Sequence, residues 1–444
     1  WQKDRAAGWR TMRSVGSGYL GIVIAVAAGV VVGAPLLTHV LGPGLPPSTR
    51  PLVTQLIRAF SVGFVFWAMY SALAGVLNSR KTFIVPACGP IMLNATILVV
   101  LLVAGRRLGI AALALGTVLG MFMQFLIQVP FVIGSWAKES SEVTTTPGGQ
   151  KRVWAMVGPL LLFGLLSQAP TVVDKAVASG LAQGSVSVLA FAQKLMSLPI
   201  GLFVGAVATV FYTSLSEAWA RKDPSAAADE LALAMGVTLL LAIPAAVGLA
   251  VLSHPIVQFV FQHGRFDAVA AALTSHALVF YCLGLPLVAV NLVLLRNAYA
   301  SEDIVSPLRG YVAALIVNAA GDWILSRVMG PAGIALASSL GAITLALSLI
   351  LSWDGHFRIA VGRALRNSLS TVLVGTALMG GMVVVLSSVL GRRPVWFQLL
   401  VPGVLGLAVY VLMLAVTRPR EIGLLVAKAG LSTEPGRAVR RTSA

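Results

Sequence analysis

Charge is scarce in this chain. Asp, Glu, Lys and Arg together make up 11% of its 444 residues, less than half of the roughly 25% usual in soluble domains. With 58% hydrophobic residues and a mean hydropathy of +0.91, that shortage excludes a disordered chain and a water-soluble enzyme with one or two ordinary cores. Cysteine is nearly absent. Cys88 and Cys282 both lie in apolar runs, which argues against a disulfide framework or a cysteine metal site. G-x-S-x-G, P-loop and H-E-x-x-H patterns are missing, and His254, His263 and His276 have no ligand spacing. No catalytic constellation is present, so the chain reads as a transporter rather than an enzyme. No cleavable signal sequence is visible and residue 1 is Trp, so the reading expects a start upstream of it.

Long apolar runs are what the sequence does hold. Bounded by Pro, Gly and charge, they predict twelve spans over 14–41, 51–78, 83–105, 108–134, 153–178, 185–215, 229–252, 268–299, 306–328, 331–353, 365–390 and 395–417. Each reaches the roughly 20 residues that a bilayer requires. Continuous runs, not ten-residue alternating strands, argue against a barrel. The expected fold class is an all-α polytopic membrane protein. Lys and Arg outnumber Asp and Glu 32 to 15, for a net charge of +17. With residues 1–13 cytoplasmic, 21 of these cations fall on that side, 7 on the other and 4 within spans. This bias places both ends in the cytoplasm, and nucleic acid is not needed to explain the basic surface.

Two stretches resemble each other. Leu77-Asn78-Ser79 leads to Pro86, Asn94 and Gly109-Ile110-Ala111; Tyr299-Ala300-Ser301 leads to Pro307, Asn318 and Gly333-Ile334-Ala335. The Pro offset is 221, and the Asn and Gly offsets are 224, so a repeat with one inserted turn is expected. Spans from 153 to 353 make six helices, whereas 1–134 holds four. The repeat therefore predicts about 70 further residues, two helices, before Trp1. The expected domains are an N-terminal lobe over 1–134, a cytoplasmic linker over 135–152 and a C-terminal lobe over 153–353. An additional helix pair over 354–417 and a basic tail over 418–444 follow. Duplicated lobes are the usual architecture of alternating-access transporters.

Ionisable groups at membrane depth are functional candidates, because each costs several kcal/mol unless paired or hydrated. Here they are Arg58, Asp174, Lys175, Lys194, Arg296 and Asp322. Asn318 and Asp322 share a helix face at i, i+4. Asp174, Asp322 and Ser338 lie four, six and seven residues from the outer ends of their spans. Oxygen ligands without His or Cys suit Na+ or H+. The alternative is that Asp174 pairs with Lys175 while Asn318 and Asp322 bond across helices. Cations facing a cavity would attract an anionic substrate. Lys194, nine residues into its span, and Arg58 are the better candidates. Arg296 could instead snorkel, and Lys175 could neutralise Asp174. Gly29-x-x-x-Gly33, Gly116-x-x-x-Gly120 and Gly201-x-x-x-Gly205 predict close helix packing, and Pro199 and Pro244 predict kinks.

Leu77-Asn78-Ser79-x-x-x-Phe83-x-x-Pro86-x-x-x-Pro90-x-x-x-Asn94 resembles the lipid II flippase family (MurJ/MviN) of the MOP superfamily. So do Gly184-Ser185-Val186-Ser187 with Leu195-Met196-x-x-Pro199-x-Gly201, and Phe261-Gln262-x-Gly264-x-Phe266-Asp267. The resemblance runs across all twelve spans. It implies fourteen helices, of which this chain would hold the third to the fourteenth. It implies two lobes around a cationic cavity, with the last helix pair forming a lipid-tail groove. The activity implied is flipping of an undecaprenyl-pyrophosphate-linked peptidoglycan precursor, lipid II or a similar glycolipid, by a monomer in the bacterial cytoplasmic membrane, driven by membrane potential or a cation gradient. No cofactor is implied beyond a Na+ ion, whose site would map to Asp174, Asn318, Asp322, Ile334 and Ser338. The substrate-binding candidates are then Lys194, Arg58, Gln193, Lys175 and Arg296. Two departures stand out: Gln193-Lys194 replaces the family's Asp-Arg, losing the bidentate fork, and the first two helices with their cavity arginines are absent. The alternatives are a flippase for another polyprenyl-linked polysaccharide or a drug exporter of the same superfamily; the extra helix pair and the basic residues count against an exporter. Outside transport, a polyprenyl-phosphate glycosyltransferase would need acidic outer loops, and Asp267 is the only acid there.

Overall fold

The computed structural model describes residues 5–79, 82–136, 149–391, 393–417 and 423. Most of the expected linker and tail, and the loop cations Lys3, Arg80, Lys81, Lys138 and Arg392, lie outside the described residues. All regular structure among those described is helical, and twelve helices are long and apolar enough to cross a membrane. In chain order the helices are α1 (Arg5–Leu41), α2 (Arg50–Ser79), α3 (Ile84–Leu108), α4 (Ile110–Leu126), α5 (Val129–Trp136), α6 (Gly149–Ser179) and α7 (Ser185–Pro199). After a π-helical turn (Ile200–Val204) come α8 (Gly205–Ala220), α9 (Pro224–Val251), α10 (Ser253–Phe261) and α11 (Ala268–Ala300). The last four are α12 (Val305–Met329), α13 (Pro331–Ser352), α14 (Gly355–Leu390) and α15 (Val395–Thr417).

The ends of these helices follow local chemistry. Asp223 and Asp267 cap α9 and α11 by accepting from Ala226 N at 3.0 Å and Ala270 N at 2.8 Å. The first bond holds the solvent-facing Asp223 carboxyl below its ordinary range. The expected span at 108–134 is broken at Ile127–Gln128, where Pro130 has no N–H to bond the Leu126 carbonyl four residues earlier. The kink expected at Pro199 appears as the π-helical turn. At Pro244 α9 runs on uninterrupted, with its freed Leu240 carbonyl accepting from Tyr410 Oη at 2.7 Å.

The chain forms two compact units, Trp1–Leu162 and Phe163–Ala444, dividing within α6. In the first, α1 lies along α2, joined by the Thr38 and Thr54 hydroxyls at 2.9 Å. The α3–α4 hairpin packs on α2 through α4, with Phe66 edge-on to Phe122. In the second, α9 and α11 are the most enclosed spans. One core joins α8, α9, α11 and the start of α14, and the other joins α7, α11 and α13. The helix pair α14–α15 belongs to this unit, with α14 lying along α9 and Arg363 Nη1 2.7 Å from Asp229 Oδ1.

The repeat is real in structure, and its register differs from the expected one. Helices α3 and α12 each have 25 residues, offset by 221 at both ends. Each ends on a glycine with the same unusual backbone, Gly109 at φ 54°, ψ −128° and Gly330 at φ 58°, ψ −135°. Gly330, not Gly333, is therefore the partner of Gly109, and no inserted turn is needed. The triplet Gly-Ile-Ala misled because Gly333 has its own reason to be glycine: a Cβ there would strike the Leu325 carbonyl. Gly120 and Gly341, also 221 apart, let α4 and α13 approach Leu93 and Ala314 of the preceding helix. Of the three expected packing motifs, Gly116 and Gly120 face α3 closely, whereas Gly29, Gly33 and Gly201 have no neighbouring atom within 4 Å.

A Cβ at the hinge glycines forces a strained backbone costing about 1–3 kcal/mol. Gly109→Ala and Gly330→Ala should each lower the thermal midpoint in detergent, whereas Gly29→Ala should not. Equal midpoints for all three would remove the hinge argument.

Candidate functional site

The second unit gathers polar side chains where three apolar helices meet. Asp174 of α6 accepts from Asn318 Nδ2 of α12 at 3.0 Å through Oδ1. Its Oδ2 accepts from Ser338 Oγ of α13 at 2.9 Å. Asp322, one helical turn beyond Asn318, is fully enclosed, and its carboxyl group lies against that of Asp174. Tyr281 of α11 stands beside Ser338 and encloses the group from the fourth side. These contacts explain why the sequence puts an amide, two acids and a hydroxyl at matching depths of separate spans.

Three oxygens in this group lack donors. Neither oxygen of Asp322 receives a hydrogen bond, nor does Asn318 Oδ1. Two facing carboxyl groups in an apolar bundle cannot both stay charged without a counter-charge. Its donor set is all oxygen, the hard kind that suits Na+ or a proton rather than a transition metal. Lys175 is exposed and makes no ion pair with Asp174 among the described residues, acting on it only through its electrostatic field, while both Asp174 oxygens are taken by α12 and α13. Ile334 is buried in the α7–α11–α13 core, one turn before Ser338, so any ligand from it would be its helix-bonded carbonyl.

A cavity of about 290 Å³ opens on the cluster, lined by Asp174, Asn318, Ser338, Gln193, Asn291 and Tyr311 among others. A second, of about 210 Å³, lies along α7 and shares Gln193, Val288 and Ser338 with the first. Gln193 thus meets the acid cluster. Lys194 is exposed on α7, its ammonium group without a hydrogen bond or ion pair among the described residues, and it lines neither cavity. Arg296 packs its guanidinium 5.3 Å from the Tyr212 ring, away from the acids. Arg58 belongs to the first unit, where its Nε donates to Val31 O at 3.3 Å. Sequence reasoning missed Tyr281 and Asn291. Asn291, whose Nδ2 donates to Ala342 O at 2.9 Å, was open to discovery as an amide inside a span. Tyr281 gave no such signal, since tyrosine is common in apolar helices. Among the described residues, no three His, Cys, Asp or Glu side chains come together to hold a metal ion.

A sequence model described as lipid II flippase MurJ matches residues 3–404. The lipid II flippase MurJ of Burkholderia cenocepacia is 29% identical over 330 residues, which cover 72% of this chain and 64% of that protein. The chain thus spans just under two thirds of that relative's length. A solved structure of lipid II flippase MurJ in an inward closed conformation aligns with a TM-score of 0.75 and 25% identity, covering 92% of this chain and 83% of that one. An inward-facing multidrug resistance MATE family transporter of the MOP superfamily aligns with a TM-score of 0.64 at 14% identity, over 82% and 86% of the two chains. That likeness is one of fold alone.

Removing Asp174 would strand two donors at once. Asp174→Ala should destabilise the protein in detergent by about 2–5 kcal/mol, and Ser338→Ala by about 1 kcal/mol. Equal midpoints for wild type and Asp174→Ala would show that the three helices do not depend on this carboxylate.

Proposed function

The chain belongs to the lipid II flippase MurJ family, and from that premise we propose that it moves lipid II, or a similar polyprenyl-pyrophosphate glycolipid, from the inner to the outer leaflet of the bacterial cytoplasmic membrane. It does so by alternating access, as a transporter and not as an enzyme, with both ends of the chain cytoplasmic. The observation that carries the transport reading is the buried acid cluster with its three donorless oxygens, open to a cavity that Gln193 and Asn291 also line. A passive scaffold has no use for two facing carboxylates at membrane depth, where each charge costs at least about 2.5 kcal/mol.

In this reading Asp174 ties α6 to α12 and α13 through Asn318 and Ser338, and Asp322 completes an acceptor set that needs positive charge. A Na+ ion or proton bound there would supply the counter-charge and draw upon a membrane gradient. With the charge present, the three helices hold together. Without it, the two carboxylates repel and favour a looser arrangement of the same helices. Gln193 and Lys194 on α7 offer donors to an anionic headgroup, Lys194 as a point charge without the planar fork of arginine. Lys175 and Arg296 are the other candidate cations of this unit and Arg58 is that of the first, and α14–α15 offer the apolar face for the lipid tail.

The gene encoding this chain should rescue cells depleted of their own lipid II flippase. Lys194→Ala should abolish rescue at unchanged membrane abundance, and Lys194→Arg should retain it. Failure of the wild-type gene, with its product in the membrane, would replace lipid II by another lipid-linked glycan. For the ion, exchanging choline for Na+ should raise the thermal midpoint of the wild type and leave Asp322→Asn unmoved. An identical midpoint in both salts for the wild type would remove the Na+ site.

A further inference from the structure

Residues 5–138 contain no Asp or Glu, yet α2 carries Arg50 at its first residue and Arg58 two turns further in, about 12 Å along the axis. Among the described residues neither arginine has a carboxylate partner in this unit. Both line a cavity of about 370 Å³ between the end of α1 and the start of α2, together with Thr38, His39, Thr54 and Gln55. The charge bias places this end of the bundle on the outer side.

Both guanidinium groups are anchored through Nε. Arg50 Nε donates to Leu45 O at 3.1 Å, and Arg58 Nε to Val31 O at 3.3 Å. The second bond has a cause. Pro35 lies inside α1 and lacks the N–H that would bond the carbonyl four residues earlier, which is that of Val31. The same vacancy recurs at Pro90, where Tyr70 Oη donates to Pro86 O at 2.9 Å, and at Pro244, where Tyr410 Oη donates to Leu240 O. A neutral hydroxyl serves at both of those places. At Pro35 the donor is an arginine, whose charge and terminal nitrogens exceed what one carbonyl requires. Because Nε is tied down, the two terminal nitrogens of each arginine are left to the cavity, in the fork geometry that grips phosphate.

We infer that this cavity is a phosphate subsite on the outer side, at which Arg50 and Arg58 hold the pyrophosphate of a polyprenyl-linked lipid, with His39 and Gln55 at its edge. The inference rests on the flippase reading for its ligand. It adds a docking point for the substrate's charged group apart from Lys194 and the acid cluster of the other unit.

The test is binding of a short-chain polyprenyl pyrophosphate to the purified chain in detergent, read by native mass spectrometry with and without excess phosphatidylglycerol. Arg50→Gln, which leaves the Val31 bond intact, and Arg58→Gln should each weaken binding about tenfold or more. Arg58→Lys should fall between Arg58→Gln and wild type. Binding should survive a tenfold excess of phosphatidylglycerol. Unchanged affinity in the Gln variants, or no binding by the wild type, would overturn the site. Displacement by phosphatidylglycerol at equal concentration would overturn it too, assigning the arginines to an ordinary phospholipid headgroup. Binding that persists while the gene fails to rescue flippase-depleted cells would keep the subsite and remove the lipid II reading. Rescue by variants that no longer bind would do the reverse.

Discussion

Every backbone carbonyl in a membrane-spanning helix must find its donor inside the protein, because the hydrocarbon offers none. Much of the specific side-chain chemistry here answers that one demand where proline breaks it. Pro35, Pro90 and Pro244 each free a carbonyl one turn back, and Arg58, Tyr70 and Tyr410 each reach across from a neighbouring helix to fill it. These bonds fix the pairing of α1 with α2, of α2 with α3, and of α9 with α15. Apolar packing alone is a weak guide to which helix lies beside which, since lipid tails are as apolar as leucine. A carbonyl left bare is a sharper one.

The duplicated hairpins show how the same frame is turned to different ends. Helices α3 and α12 share their length, and the hairpins α3–α4 and α12–α13 share hinge glycines and the close approach at Gly120 and Gly341. At the positions of Asn318, Asp322 and Ser338 the first hairpin has Ile97, Leu101 and Thr117, and Thr117 spends its hydroxyl on Leu113 O of its own helix at 2.8 Å. The first copy is thus a packing unit. The second carries Asp322 with Asn318 and Ser338, and α6 and α11 close around them with Asp174 and Tyr281. Divergence at three positions converts a structural hairpin into half of a charged site.

How much of this could be read beforehand depends on the range of the interaction. Spans were legible because length and apolarity are local: α11, α12 and α15 lie within a residue or two of their expected ends. The start of α14 was not, since its first turns carry Arg358, Arg363 and Arg366 and look like a loop until Phe357 is seen packed on Trp219 and Trp353. The acid cluster was half legible. Asn318 and Asp322 share a helix face at fixed spacing, but that Asp174 turns to them and not to Lys175 depends on how α6 meets α12. Tyr281 and the donor at Val31 were invisible for the same reason, as both depend on which helices touch.

The charges are sorted along the chain in a way that function, more than folding, explains. The membrane-embedded acids Asp174 and Asp322 belong to the second unit, while residues 5–138 have none to neutralise Arg50 and Arg58. A protein seeking only stability could place an acid near each of these half-buried or exposed arginines, or dispense with both. In the proposed reading, Arg50 and Arg58 anchored by Nε, and the donorless Asp322 beside an Asp174 held by an amide and a hydroxyl, are kept ready for charges from outside. The first suits an anion and the second a cation. A carrier of the proposed kind, moving an anionic headgroup and drawing on a cation, would need both, and would need them not to satisfy each other.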